Sequence, residues 1–217
     1  IGPNGAGKST LINAITGLGL ADSGRIRFCG ADISALKPHR RARLGLARTF
    51  QNLQLIASLT VAENVMLGLP RRHGPVAGLL RWLASGRDAA EERAEALQLL
   101  AAVGIEHLAD EMPAGLPYGH RKLCELARAL AQKPTLLLLD EPIAGLNEQE
   151  AAEVGARILS MKARGMTILL VEHNMGFVMR VSDHVTVIDY GRKIGEGTPE
   201  QVQRDPAVIA AYLGDAQ

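Results

Sequence analysis

Near its start the chain carries a run with the spacing of a phosphate-binding loop: Gly2-Pro3-Asn4-Gly5-Ala6-Gly7-Lys8-Ser9-Thr10. Glycines let backbone N–H groups close around phosphate oxygens. Lys8 places a positive charge on the terminal phosphates, and the Ser9 hydroxyl can bind Mg²⁺. A helix that opens at Ser9 and ends at Gly17 points its N-terminus at the anion. The run therefore predicts a nucleotide phosphate and Mg²⁺ as ligands.

Composition excludes two classes of protein. The 217-residue chain has a formal net charge of +1, so it lacks the strong basic excess of a nucleic-acid-binding domain. We interpret its basic run at residues 39–43 as a solvated helix face. The longest apolar runs, Leu136–Leu139 and Ile168–Val171, are far shorter than the about 20 residues of a spanning helix. We expect any role in transport to require separate membrane-spanning partners.

The pattern of apolar residues changes along the chain. A short strand is predicted at residues 25–28 and another at 46–50, and residues about 53–130 are rich in predicted helices around a surface excursion at 69–86. After Pro134, predicted strands at 135–140, 167–172 and 184–188 alternate with helices. This alternation predicts an α/β fold with a mostly parallel sheet.

An acidic pair follows the most apolar of these strands. Leu136–Leu139 runs directly into Asp140 and Glu141. Ligands of open α/β sheets lie at the carboxyl ends of the strands. Asp140 is placed there to hold Mg²⁺ through water, while Glu141 can accept a proton from an attacking water molecule.

Four further segments resemble, in the same order, the motifs of the ATPase subunits of ATP-binding cassette (ABC) transporters. Gln51 resembles the Q-loop glutamine of that family, and residues 144–147 resemble its D-loop. His173 resembles its switch histidine. The fourth segment resembles the signature segment of the family and reads Leu116-Pro117-Tyr118-Gly119-His120-Arg121-Lys122-Leu123.

The resemblance covers the whole chain and implies one ABC ATPase domain over residues 1–217. It implies a P-loop NTPase, RecA-like core at 1–52 and 131–217, a helical subdomain at about 53–130 and an incomplete N-terminal antiparallel β part. Gln51 is then expected to touch Mg²⁺ or the attacking water. His173 is expected to contact the γ-phosphate of ATP, whereas Glu172 receives no role.

The signature segment departs from the general pattern of the family. Pro117 replaces a serine that donates a hydrogen bond to a phosphate on the partner subunit, and proline has neither hydroxyl nor N–H. Gly119 and the N-terminus of a helix from His120 can still face that phosphate in trans. Together with residues 195–214, this form resembles one ATPase subunit of branched-chain amino-acid importers.

The function that follows from this resemblance is an ATP-hydrolysing subunit that energises import of branched-chain amino acids. The implied partners are a second, identical or different, ATPase subunit, membrane-spanning permease subunits and, indirectly, a substrate-binding protein, at the cytoplasmic face of the inner membrane. An ABC ATPase for another cargo, such as urea, amides or exported lipopolysaccharide, and a soluble ABC protein are the alternatives. Neighbouring permease genes distinguish the cargoes.

The chain begins at Ile1, where the strand that leads into the phosphate loop is expected. Such a strand is buried on both faces, and each of its apolar side chains contributes roughly 1.5–3 kcal/mol. We therefore expect a truncated protein in which the 217 residues fold poorly and hydrolyse ATP weakly. A thermal melt monitored by circular dichroism checks this, and a cooperative transition with a high midpoint contradicts it.

Overall fold

The computed structural model describes residues 1–49, 53–70 and 87–214 of the chain. The helices are α1 (Lys8–Thr16), α2 (Pro38–Arg43), α3 (Val61–Met66), α4 (Arg87–Val103), α5 (Tyr118–Leu130), α6 (Glu148–Ala163), α7 (Met175–Val181), α8 (Pro199–Gln203) and α9 (Pro206–Gly214). The strands are β1 (Arg27–Phe28), β2 (Ala31–Asp32), β3 (Leu46–Arg48), β4 (Leu136–Asp140), β5 (Thr167–Val171), β6 (Val185–Asp189) and β7 (Arg192–Gly197).

A three-stranded parallel sheet, in the order β3-β4-β5, forms the centre of the fold. Its middle strand β4 buries Leu137, Leu138 and Leu139, as expected for a strand that is covered on both faces. In the register of the sheet, Arg48 lies opposite Leu138 and Asp140 lies opposite Val171. The carboxyl ends of all three strands therefore meet at one edge.

The other strands form two antiparallel pairs, β1 with β2 and β6 with β7. Positive φ angles at Tyr190 and Gly191, of 42° and 75°, make the tight turn between β6 and β7. The expected sheet is thus divided into a parallel part and separate antiparallel pairs. A groove separates β5 from β6.

This groove has a volume of about 470 Å³ and is lined by β5 on one side and by residues of β6 on the other. Ile1 lies in its wall and pairs with β6, because its amino group donates to Thr186 O at 2.8 Å and Ile188 N–H donates to Ile1 O at 2.9 Å. This bonding is that of a parallel strand. The phosphate loop therefore starts beside β6.

Helices α3, α4 and α5 pack on one another within the predicted helical subdomain. Val61, Leu100 and Leu126 belong to the same buried cluster as Leu137 and Leu139 of β4. That cluster joins the helices to the central sheet. The boundaries of the subdomain stay a prediction. Of the surface excursion expected at 69–86, residues 71–86 lie outside the described residues.

The interpretation of residues 39–43 as a solvated face was wrong at Arg41. This side chain is buried, and its guanidinium donates to Ile15 O at 2.8 Å, Ser34 O at 2.8 Å and Leu36 O at 2.9 Å. A cation favours the carbonyl end of a helix, here the end of α1. Arg41 therefore fixes the helix that carries the phosphate loop.

Within the described ranges, no helix has the length and the apolar character needed to cross a membrane.

Candidate functional site

The phosphate loop leads directly into the N-terminus of α1. Gly7, at a φ of 95°, caps this helix, and neither a capping side chain nor an acidic residue of the first turn competes for its N–H groups. Gly2 lies so close to β6 that a Cβ atom would overlap the Ile188 carbonyl oxygen. Gly191 N–H donates to Ala6 O at 2.9 Å, which braces the loop against the β6–β7 turn. The result is a rigid cradle for an anion.

Lys8 lies across this cradle. Its Nζ atom donates to Gly2 O at 2.6 Å and to Pro3 O at 2.8 Å. Burial lowers the pKa of the Lys8 amine, and the charges of Glu141, Asp140 and Glu172 oppose that shift. Two of these carboxylates, Asp140 and Glu141, are groups expected to act on ATP.

The other polar residues of the loop face solvent. Asn4, Gly5, Ser9 and Thr10 are exposed, so the hydroxyl of Ser9 at the start of α1 is accessible to a metal ion. Pro3 is half-buried.

Asp140 ends β4 as a buried carboxylate. Its Oδ2 accepts a hydrogen bond from Arg48 Nη2 at 2.7 Å, and Arg48 Nη1 also donates to Asn13 Oδ1 at 2.7 Å. Arg48 thereby ties the carboxylate to α1. A buried carboxylate requires such a partner because an uncompensated charge is costly away from water.

Glu141 follows with an unusual backbone. Its φ is 48°, in the left-handed region that non-glycine residues rarely adopt, and its N–H donates to Val171 O at 2.9 Å. The side chain is half-buried beside Lys8 and Asp140. Such strained positions cluster at functional sites.

His173 follows β5 and faces the same edge. Its side chain is 58% exposed, and its Nδ1 atom lies 3.8 Å from Oε2 of the fully buried Glu172. Burial raises the pKa of Glu172, while hydrogen bonds from the Ile143 and His173 N–H groups lower it. The register of β4 and β5 thus places Asp140, Glu141 and His173 at or just after the carboxyl ends of two neighbouring strands.

The signature residues occupy the first turn of α5, which begins at Tyr118 and not at His120 as expected. Gly119 is buried, and its N–H donates to Glu150 Oε1 at 3.3 Å. His120 has a buried Nδ1 atom without a hydrogen-bond partner among the described residues. A Cβ atom at Gly119 would lie 2.9 Å from Oε1 of Glu150, so a larger residue there would require the Glu150 side chain to move.

Gln51, which the sequence places at the metal or the attacking water, lies outside the described residues. Its role stays a prediction.

The residues present fit a nucleotide that carries Mg²⁺. The described ranges contain no group of three or more His, Cys, Asp or Glu residues that could hold a metal ion. Mg²⁺ commonly takes one or two protein ligands and completes its shell with phosphate oxygens and water. The exposed Ser9 hydroxyl and the Asp140 carboxylate supply that kind of partial site next to the anion cradle.

Comparison with protein families gives the same assignment as the geometry. A family model described as ABC transporter matches residues 1–144. The chain belongs to this family. A second model, described as branched-chain amino acid ATP-binding cassette transporter, matches residues 192–217 of this ABC ATPase.

Curated relatives cover the whole chain. The high-affinity branched-chain amino acid transport ATP-binding protein BraF of Pseudomonas aeruginosa is 40% identical over 100% of this chain and 86% of its own length. The protein LivG of Escherichia coli K12, of the same description, is 37% identical over the same shares.

Solved ABC cassettes have the same fold. The ADP conformation of an ATP-binding cassette of an ABC transporter matches with a TM-score of 0.84 and 36% identity, over 99% of this chain and 86% of that one. A nucleotide-free cassette matches with a TM-score of 0.82 and 35% identity, over 97% and 85%.

Sequence reasoning missed two charged residues of this ABC ATPase site. Arg48 was assigned to a strand without a role, and Glu172 received none. Both are charged residues at or just after the carboxyl ends of parallel strands, where ligands of such sheets bind. That position in the sequence could have indicated a role in the site.

The backbone of Glu141 gives a stability prediction. We expect Glu141→Gly to melt about 2 °C above Glu141→Gln, because glycine avoids a left-handed strain of about 1–3 kcal/mol and loses only part of that gain to its extra unfolded-state entropy. Differential scanning calorimetry of the two variants measures this.

Exposed Glu153 in the middle of α6 is the matched control. There the glycine variant should melt below the glutamine variant, since helical glycine costs about 1 kcal/mol. If Glu141→Gly melts at or below Glu141→Gln, the strain is not present.

Proposed function

We propose that this ABC ATPase powers the import of branched-chain amino acids by hydrolysing ATP in an interface shared with a second ATPase subunit. The relatives named for branched-chain amino acid transport support the cargo, because they cover the entire chain. The second family model supports it at the C-terminus, over β7, α8 and α9. The convergence of the loop, Asp140, Glu141 and His173 at one edge carries the catalytic part.

In this proposal residues 2–10 bind the phosphates of ATP. The N–H groups at the start of α1 are directed at the phosphate oxygens, and the helix dipole favours their negative charge. Lys8 leaves the carbonyl oxygens of Gly2 and Pro3 and places its charge on the terminal phosphates. Burial lowers the pKa of the amine, and the neighbouring carboxylates oppose that shift.

Ser9 would hold the metal through its hydroxyl, and Asp140 would hold it through a water molecule. Bound there, Mg²⁺ would supply positive charge that stabilises the negative charge of the phosphates. Arg48 keeps the Asp140 carboxylate in place from the side of α1. Gln51 is proposed to reach the metal or the attacking water and to link the nucleotide to the helical subdomain.

Glu141 is the proposed general base. It accepts the proton of the attacking water, a contribution of about 10²- to 10⁴-fold in rate for a positioned base. His173 contacts the γ-phosphate and helps to position that water and Glu141. The exposure of the His173 ring leaves it accessible to a nucleotide at the edge.

The second half of the site belongs to another subunit. We propose that Gly119 and His120, at the N-terminus of α5, face the γ-phosphate bound by the partner, and that residues about 53–130 move as the helical subdomain. Glu150 now accepts from Gly119 N–H, so it has to release that group when a phosphate binds. Pro117 lacks the serine hydroxyl that usually donates to this phosphate. We therefore expect ATP hydrolysis by the pair of subunits to depend on the signature segment of the partner.

The remaining proposed partners are permease subunits, which hold the ATPase at the cytoplasmic face of the inner membrane and exchange substrate with a binding protein. Uptake of labelled leucine tests this in cells that lack the gene. We expect the wild-type gene and the exposed-surface control Glu92→Gln to restore uptake, whereas Glu141→Gln should reduce it about 100-fold or more.

Uptake of labelled urea, measured in the same cells, should not change. If urea uptake depends on the gene and leucine uptake does not, the proposed cargo is wrong. If Glu141→Gln supports leucine uptake at the wild-type rate, the proposed base is wrong.

A further inference from the structure

Glu172 is a fully buried carboxylate that has no part in the proposed reaction. Burying a charge is costly unless hydrogen bonds compensate for it. Apolar residues fill the neighbouring positions of β5, so an apolar side chain would suffice for packing alone. A charged group at this position therefore calls for a reason beyond the core.

The contacts of Glu172 supply that reason. Its Oε1 accepts the N–H of Ile143 at 3.1 Å, and its Oε2 accepts the N–H of His173 at 3.1 Å. Ile143 lies two residues after Glu141, in the segment that leaves β4. One carboxylate thus connects the segment of the proposed base with the segment of the proposed γ-phosphate contact.

This connection continues the sheet beyond its backbone ladder. Pairing of β4 with β5 extends to Asp140 and Val171, and Glu141 N–H donates to Val171 O. From there the two segments diverge around a cavity of about 810 Å³ that both line. The side chain of Glu172 spans them at this point and sets their separation.

Glu172 also lies next to the ring of His173, with Oε2 3.8 Å from Nδ1. A carboxylate only accepts hydrogen bonds, so its position favours a proton on Nδ1. A contact with a phosphate oxygen requires that Nε2 also carries a proton, because that oxygen is an acceptor as well.

We propose that Glu172 is a positioning residue that orients His173 toward the γ-phosphate of ATP. This inference rests on the proposed function, in which His173 makes that contact. It predicts that Glu172 affects the binding of ATP, which has a γ-phosphate, and leaves the binding of ADP unchanged. A residue that only supports packing would affect both nucleotides.

The test measures the dissociation constants of ATP and ADP by competition with a fluorescent nucleotide. All variants carry Glu141→Gln so that ATP is not consumed. We expect Glu172→Gln to weaken the binding of ATP about tenfold to hundredfold, as for the loss of a hydrogen bond to a charged group, and to change the binding of ADP by no more than about twofold. The control substitution Glu92→Gln, on the exposed face of α4, should change neither value.

A double-mutant cycle with His173→Ala separates positioning from packing. We expect His173→Ala to weaken the binding of ATP and not that of ADP. Adding Glu172→Gln to this variant should cause no further loss of ATP affinity. Equal weakening of ATP and ADP by Glu172→Gln, or losses that add in the double variant, would overturn the inference. If His173→Ala leaves the ratio of ATP to ADP affinity unchanged, the proposed contact of His173 with the γ-phosphate is wrong.

A thermal melt shows whether each variant is folded. If Glu172→Gln does not fold, Glu172→Asp takes its place in the cycle. Aspartate keeps the charge but is one methylene shorter, so it cannot reach both N–H groups. The same selective loss of ATP is expected, and normal ATP binding by a folded Glu172→Asp variant would overturn the inference.

Discussion

The parallel pairing of β4 with β5 is the constraint on which the site depends. It fixes Asp140 opposite Val171, so the residues that follow both strands emerge at the same edge. Glu141 and His173 are far apart in sequence, and this register puts them just after the ends of two neighbouring strands. A shift of one residue would turn alternate side chains to the other face of the sheet and separate the carboxylates from the phosphate loop.

The site is held in a state that is costly for the fold. Lys8, Asp140 and Glu172 are buried charges, and Glu141 has a left-handed backbone. Compensation comes from neighbouring groups: Arg48 pairs with Asp140, and backbone N–H groups of the two loops satisfy Glu172. In the proposed function, nucleotide binding replaces part of this arrangement, because Lys8 and Gly119 would exchange the acceptors they now contact for phosphate oxygens.

Local patterns were sufficient to predict the parts of this fold whose structure is set by nearby residues. The apolar run at 136–139 predicted β4, and glycine spacing with Lys8 predicted the loop before α1. Long-range contacts were not predictable: Arg41 joins carbonyls of α1 to α2, and Arg48 reaches Asp140 from another strand. The same basic residue is a surface charge or a buried donor depending on contacts that a single sequence does not contain.

We propose that the carboxyl ends of the sheet and the phosphate loop form one site for ATP and Mg²⁺. Isothermal titration of ATP with Mg²⁺ and with a chelator, on the wild type and on Asp140→Asn, tests it most directly. We expect Mg²⁺ to strengthen ATP binding to the wild type and Asp140→Asn to lose most of this gain. An equal gain from Mg²⁺ in a folded Asp140→Asn variant would contradict it.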